Sequence, residues 1–282
     1  MSEAPVGRGT RPGPTVLFHW LRSARTAAYW LASPIDWAAR RPTEKRGLPP
    51  LWLRRHAGAV AKFESSAREM ASFLDDIGVL SREDDVLDIG CGAGAMAAEL
   101  APRLGPRRRY VGFDVHEPSV LWCRRRFACD PRFAFEVARV ASPYGNWSGP
   151  PATSYRFPMR DGEAGLVVAK SVFTHLLEPE ARHYLSEMRR VLRPGRSAVV
   201  TTFLFGREGP QRDAVRRVFP HGSSTGTVRW RSARRPTAGV AYDRAMFESL
   251  VEAAGLRVQW IYFGYFPGRD RLTGQDIVIL GH

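Results

Sequence analysis

The run VLDIGCGAGA, Val86 to Ala95, constrains this chain more than any other stretch. An apolar segment reaches an acidic residue, Asp88, and then meets glycines at 90, 92 and 94. Such a pattern reads as a strand that turns sharply into a helix beside a nucleotide-like ligand. Glycine suits the turn because no side chain blocks close approach and because the backbone is free to take positive φ. Gly90, Gly92 and Ala95 nearly complete the G-x-G-x-x-G/A dinucleotide fingerprint, and the same letters complete D-x-G-x-G-x-G. On this stretch alone both readings stand.

The rest of the chain supplies the context. Val60, Phe63, Ala67, Met70, Leu74 and Ile77 recur at helical spacing and predict a helix ending near Gly78. From residue 86 strands and helices alternate. A strand at 86–89 precedes a helix at 94–104, RYVGFD precedes a helix at 117–128, and FAFEV is a third strand. GLVVAK is a fourth strand, followed by the helix PEARHYLSEMRRVL, which Pro194 and Gly195 are expected to end. SAVVTTFLF, a helix near 243–254, and the strands LRVQWIYFGY and QDIVIL complete the chain. Alternation of this kind predicts an α/β fold: a doubly wound, Rossmann-like sheet of seven strands with helices on both faces. Only a loop centred on RDRLTG joins the last two strands, so one of them is expected to run antiparallel.

In a sheet of this type the ligand lies beyond the carboxyl ends of the strands, near the point where strand order reverses. The first strand then delivers Asp88 and the glycine turn, and the second ends at Asp114, whose carboxylate can accept both hydroxyls of a ribose. A nicotinamide cofactor fits these two features nearly as well. Three further features favour a different one. Asp88 is awkward beside a pyrophosphate but suits an α-ammonium group, the glycines are spaced two apart, and the chain closes with a two-strand excursion.

Taken together, VLDIGCGAG, YVGFDVHEPSVL, FPMRDGEAGLVVAKSVFTHLL, YLSEMRRVLRPGRSAVVTTF and the closing AGLRVQWIYFG and QDIVIL resemble class I S-adenosylmethionine-dependent methyltransferases of the small-molecule type, over roughly residues 50–282. The resemblance implies S-adenosylmethionine as cofactor, with Asp88, Gly90, Cys91, Gly92 and Gly94 at its methionine end. It implies Asp114 on the ribose, Val115 and His116 beside the adenine, and Leu176 lining the pocket. His175, after the fourth strand, is the candidate general base if the acceptor is a hydroxyl. Three positions depart from the family pattern. Arg139 stands where an acidic residue often meets the adenine, Ala164-Gly165 replaces an acidic residue at the start of strand four, and Arg196 replaces a second glycine after Pro194-Gly195.

Composition bounds the partners. The net charge of +14 is unevenly placed: residues 1–60 hold ten basic and three acidic side chains, and 207–240 hold eight and two. The remainder is almost balanced. Residues 1–48 are read as a basic arm, disordered over 1–15, with an aromatic helix over 16–32 that either packs on the main domain or lies on a membrane surface. Residues 49–282 are read as the methyltransferase domain. Its basic segment 207–240, with Arg229, Arg231, Arg234 and Arg235 around Trp230, is a candidate lid over an anionic acceptor, with a solvated surface loop as the alternative. The three cysteines have no metal-ligand spacing and no disulfide pattern, so no metal and a cytoplasmic, membrane-peripheral at most, location are expected. The acceptor expected is a small molecule, anionic or lipid-linked in some readings. AKSVFTH replaces the N/D-P-P-Y/F motif of base-modifying enzymes, which argues against nucleic acid and leaves RNA methylation as a rival. A second rival is a chain that keeps the fold as a binding protein with impaired catalysis, a reading motivated by Arg139.

Overall fold

The structure is a computed structural model that describes residues 14–39, 47–56, 60–145, 148–206, 215–264 and 274–282. The expected disorder over 1–15 falls almost wholly outside these residues, as do the first part of the basic segment and most of the RDRLTG loop. The chain divides into two compact units, 1–63 and 64–282.

The first unit contains helix α1, Pro14–Ala39, and helix α2, Leu51–His56. Arg54 is buried and joins the two through a 2.5 Å ion pair with Asp36, while its Nε donates to the carbonyl of Pro49. Trp30, Leu31, Ile35 and Trp37 of α1 are exposed. Among the described residues no helix is long and apolar enough to cross a membrane.

The second unit is built on a seven-stranded sheet. Its strands are β1 (Val86–Ile89), β2 (Tyr110–Asp114), β3 (Phe133–Val137), β4 (Ala164–Ala169), β5 (Leu192–Thr202), β10 (Arg257–Tyr262) and β11 (Asp276–Gly281). They lie in the order β10-β11-β5-β4-β1-β2-β3. Every pair is parallel except those that β11 makes with β5 and β10, so the antiparallel strand is the last one. Strand order reverses between β1 and β4, and the carboxyl ends of β1, β2 and β4 therefore open into one crevice.

Each face of the sheet is covered. Alternation along β1 sends Val86 to one face and Leu87 and Ile89 to the other. Val86 joins a core with α3 (Ser65–Asp76), α4 (Ala95–Leu100) and α5 (Glu117–Arg126), through Leu74, Leu100 and Val120. Leu87 and Ile89 join a core with α6 (Glu178–Val191) and α7 (Arg244–Ala253), through Leu185, Met188 and Phe247. Tyr184 is buried in this core against Phe157, and Glu187 pairs with Arg190 at 2.6 Å while accepting from the backbone of Phe157.

A second, four-stranded sheet follows β5. It comprises β6 (Leu204–Phe205), β7 (His221–Gly222), β8 (Val228–Trp230) and β9 (Val240–Asp243), ordered β6-β9-β8-β7. The described part of the basic segment is thus a folded element. Two of its arginines contact the fold: Arg229 donates to the carbonyls of Phe219 and Pro220, and the Arg231 guanidinium lies 5.6 and 5.0 Å from the ring centres of Phe203 and Phe219.

Pro194 and Gly195 do not follow the helix directly as its stop. The helix ends at Val191, and Leu192 already takes extended angles and pairs with Ala164. Pro194 and Gly195 sit inside β5, at an irregularity where pairing skips from Leu192 to Ser197 and Gly195 takes φ +75°. Proline has no N–H to give the ladder, and glycine accepts the left-handed backbone, so the two are accommodated where the register shifts.

Two of the departures from the family pattern belong to one arrangement. A β-carbon on Gly165 would lie 2.1 Å from Oδ1 of Asp84, a fully buried carboxylate. Arg196 reaches the same oxygen at 3.0 Å and Arg193 at 3.8 Å. Burial raises the Asp84 pKa, and Arg196 and Arg193 oppose that rise. Glycine at 165 makes room for the carboxylate, and arginine at 196 supplies its counter-charge. Gly165→Ala is expected to cost about 1–3 kcal/mol by overpacking. Urea denaturation checks it, and an unchanged midpoint would show that the neighbourhood yields freely.

Candidate functional site

The site is assembled where β1 ends. Gly90, Gly92 and Gly94 adopt φ of +72°, +52° and +80°, so each of the three uses the freedom that glycine alone offers cheaply. Space is short as well: a β-carbon on Gly90 would meet Cγ2 of Val172 at 2.5 Å, and one on Gly94 would meet Sγ of Cys123 at 2.9 Å. The turn hangs from the next strand, since the N–H groups of Gly90 and Cys91 both donate to the carbonyl of Phe113. Cys91 is buried, with its Sγ packed against the position of Gly112.

Asp114 closes the frame. Its Oδ2 accepts from the Gly92 N–H and its Oδ1 from the His116 N–H, both at 2.8 Å. Burial raises its pKa, while the N–H groups of His116, Gly92 and Val115 oppose that rise. Each carboxylate oxygen with one bond retains a lone pair for a hydroxyl. Val115 and His116 follow, and His116 precedes α5 with its Nδ1 2.8 Å from Ser119 Oγ.

Asp88 lies under the turn and is buried. Its partner was not foreseen: the Tyr110 hydroxyl donates to Asp88 Oδ2. Burial is the main reason the Asp88 carboxyl is pushed up to about 7; the Tyr110 hydrogen bond opposes the rise, Asp114 adds to it, and Lys170 opposes it. A tyrosine at the head of an otherwise apolar strand, YVGFD, was the one available sign of this pairing.

The β4 end brings the remaining residues. Phe173–His175 form a single tight turn after β4. Leu176 packs on the larger core, and its carbonyl accepts from the Tyr242 hydroxyl at 2.5 Å, which makes Tyr242 a brace for this turn. His175 is held from two other loops. Its Nδ1 lies 2.8 Å from the carbonyl of Thr237 and 3.1 Å from the hydroxyl of Tyr144. A carbonyl only accepts, so Nδ1 carries the proton and the lone pair of the neutral ring is on Nε2. Burial pushes the His175 pKa below its usual value, the Thr237 carbonyl opposes this, and Arg231 adds to the depression. Tyr144 and Thr237 carry no family signal in the sequence; they reach His175 only through tertiary folding.

The loop after β3 ties the halves of the site together. Gly145 lies so close to β2 that a β-carbon there would stand 2.1 Å from the Val115 carbonyl, and Tyr144 beside it contacts His175. Arg139 is on the surface, three-quarters exposed, and pairs with Glu117 at 3.3 Å. A cleft of about 440 Å³ beside β3 is lined by Arg124, Glu136, Arg139, Tyr155 and Arg156 among others. It runs along the outer edge of the sheet, away from the crevice between β1 and β4. Among the described residues no cluster of His, Cys, Asp or Glu could hold a metal ion.

Comparisons with known proteins fall on this same frame. Residues 86–195 match the family model described as a methyltransferase domain. The chain is 27% identical over 209 residues to a 37.1 kDa protein of transposon TN4556 from Streptomyces fradiae, covering 66% of this chain and 55% of that protein. It therefore spans little more than half the length of that relative. Among solved structures, the complex of the Haloferax volcanii Trm112 methyltransferase activator with a methyltransferase is similar at TM-score 0.53 and 16% identity, over 82% of this chain and 95% of that one. Geranyl diphosphate C-methyltransferase from Streptomyces coelicolor, solved with Mg2+, geranyl diphosphate and S-adenosyl-L-homocysteine, is similar at TM-score 0.51 and 14% identity, over 82% and 83%. Likeness at such identities speaks for the fold. The family match covers the glycine turn, Asp114 and the whole β4 end, so residues 86–195 are similar to a methyltransferase domain, and the fold is the one shared by S-adenosylmethionine-dependent methyltransferases.

Proposed function

We propose that the chain methylates a hydroxyl of a small-molecule acceptor, with His175 as general base. The observation that carries this reading is the hydrogen bond from His175 Nδ1 to the Thr237 carbonyl, which leaves Nε2 as the basic atom at the carboxyl end of β4. The depressed pKa keeps the ring neutral at pH 7, the form a base requires.

S-adenosylmethionine supplies a methyl group made electrophilic by the sulfonium. In this reading the protein does the rest. Gly90, Cys91, Gly92 and Gly94 admit the methionine end without a side chain in the way, and Asp88 answers its α-ammonium. Asp114 offers its two remaining lone pairs to the ribose, and Val115 and His116 border the adenine. Leu176 and Val172 exclude water beside the turn, and Nε2 of His175 takes the acceptor's proton as its oxygen becomes the nucleophile. Arg139 supports a working cofactor site, because its charge is spent on Glu117 at the surface.

Asp114→Ala is expected to raise the dissociation constant for S-adenosylhomocysteine at least about a hundredfold, since it removes the ribose acceptor and the anchor of Gly92 together. Calorimetry reads it. His175→Asn is expected to leave that constant unchanged and to lower kcat about 10²–10⁴-fold toward a hydroxyl acceptor. Equal turnover of variant and parent would remove the base assignment.

A pH dependence follows from Asp88. Its folded value, about 7, lies above the unfolded carboxylate value, so the stability it contributes is full below about pH 4 and is lost as pH rises toward 7. An α-ammonium favours the ionised form, so cofactor affinity is expected to rise with pH through 7 with release of a proton. Calorimetry at pH 6.5 in two buffers of different ionisation enthalpy measures that proton, and identical heats in both would count against Asp88 as the ammonium's partner.

A further inference from the structure

Immediately after β4 the backbone does something costly. Ser171 has φ +61°, the one positive φ among the described residues that is not on a glycine. A non-glycine residue in this region is strained and persists only where its surroundings hold it. They do so here. The Ser171 N–H donates to Thr201 Oγ1 at 2.7 Å, its hydroxyl donates to Gln275 at 3.2 Å, and Thr201 donates to the same Gln275 oxygen at 2.6 Å. Thr174 bonds back to the Ser171 carbonyl at 3.0 Å. The bend sets the residues on either side: Val172 against Gly90, and Lys170 against α3.

Lys170 is the feature this bend presents. It is one of three lysines in a chain with 42 basic residues, the others being Lys45 and Lys62. Its side chain is largely out of water, and burial lowers its pKa while Asp88 and Glu69 oppose that. Its ammonium donates to Ser66 Oγ at 2.6 Å. Among the described residues no carboxylate comes within 4 Å of it. Asp88 and Glu69 act on it from beyond that distance, and Asp88 Oδ2 accepts from the Tyr110 phenol. An ammonium has three protons to give and Ser66 takes one. A desolvated cation with donors in reserve, beside a carboxylate and next to the glycine turn, is suited to a ligand that carries a carboxylate and an ammonium on adjacent positions.

We infer that Lys170, held by Ser66 and by the strained Ser171 bend, receives the α-carboxylate of S-adenosylmethionine while Asp88 receives its α-ammonium. The inference rests on the methionine end lying at the Asp88 turn. Lysine rather than arginine fits the role, because a compact ammonium on a long stem reaches one oxygen from a crowded wall, where a planar guanidinium demands a fork-shaped partner. Lys170 is on this account a binding and positioning residue with no part in bond making.

The test compares two ligands that differ only in the carboxylate, S-adenosylmethionine and decarboxylated S-adenosylmethionine, by calorimetry on the full chain. Lys170→Met is expected to weaken the first about 10- to 100-fold, the range of a charge-assisted hydrogen bond, and to change the second less than about threefold. Ser66→Ala, which keeps the lysine but frees it, is expected to show the same ligand dependence at smaller size, and it carries the test if Lys170→Met melts early by circular dichroism. Lys170→Arg is expected to restore part of the loss. Equal losses on both ligands, or none on either, overturn the role of Lys170 while leaving the cofactor assignment intact. A parent protein that binds neither ligand overturns both.

Discussion

The site depends first on one buried carboxylate. Asp114 accepts from the N–H of Gly92, in the turn after β1, and from the N–H of His116, at the entrance to α5. These bonds fasten a segment with three left-handed glycines to the end of the neighbouring strand. Without them the part-buried N–H groups of Gly92 and His116 would lose their acceptor, which is costly. The same oxygens are the ones that the proposed function gives to the ribose. On that proposal scaffold and recognition are a single set of bonds, which ties the glycines to Asp114 although 20 or so residues separate them.

Departures from a family pattern are informative when the structure shows what stands beside them. Gly165 and Arg196 looked like two unrelated replacements. Both surround Asp84, which needs the space that glycine vacates and the charge that arginine brings. A buried carboxylate left without its cation would be strongly destabilising, so neither change is independent of the other. Arg139 is different in kind. Its side chain leaves the crevice for Glu117, and a cation at that point of the sequence does not place positive charge inside the fold.

Much of this was legible in the sequence because the signals were local. β1, its glycine turn and Asp114 are read from spacing, and the fully buried strands β4 and β11 from continuous apolar runs. Chain reversal without room for a helix gave the antiparallel last strand. What escaped was set by tertiary contact. Tyr110 meets Asp88 because β1 and β2 pair in register two residues apart from that contact, with Asp88 opposite Gly112. Pro194 and Gly195 resembled a helix stop but lie in a strand, since Leu192 gains a partner in Ala164 that periodicity does not reveal. The basic segment read either as a lid or as a solvated surface loop, and its pairing into the second sheet, with Arg229 donating to the Phe219 carbonyl and Arg231 lying over the Phe219 ring, was not legible.

The same distinction explains why the acceptor is harder to read than the cofactor. In the function proposed above, the cofactor contacts come from β1 and β2, whose ends are fixed by the parallel ladder and lie within about thirty residues of each other. His175 is instead oriented by Tyr144 and by the carbonyl of Thr237, contributed by two loops that are 31 and 62 residues away in sequence. Neither contact depends on a conspicuous residue type: one is a tyrosine in a glycine-containing loop, the other is backbone. A carbonyl can fix an imidazole tautomer whatever side chain follows it, so the protonation pattern of His175 is insulated from side-chain change in the loop that holds it. Under the proposed function, the walls of the acceptor pocket are then free to vary without disturbing either the sheet or the proton on Nδ1, which is the arrangement expected of a fold that keeps one methyl donor and changes its acceptors.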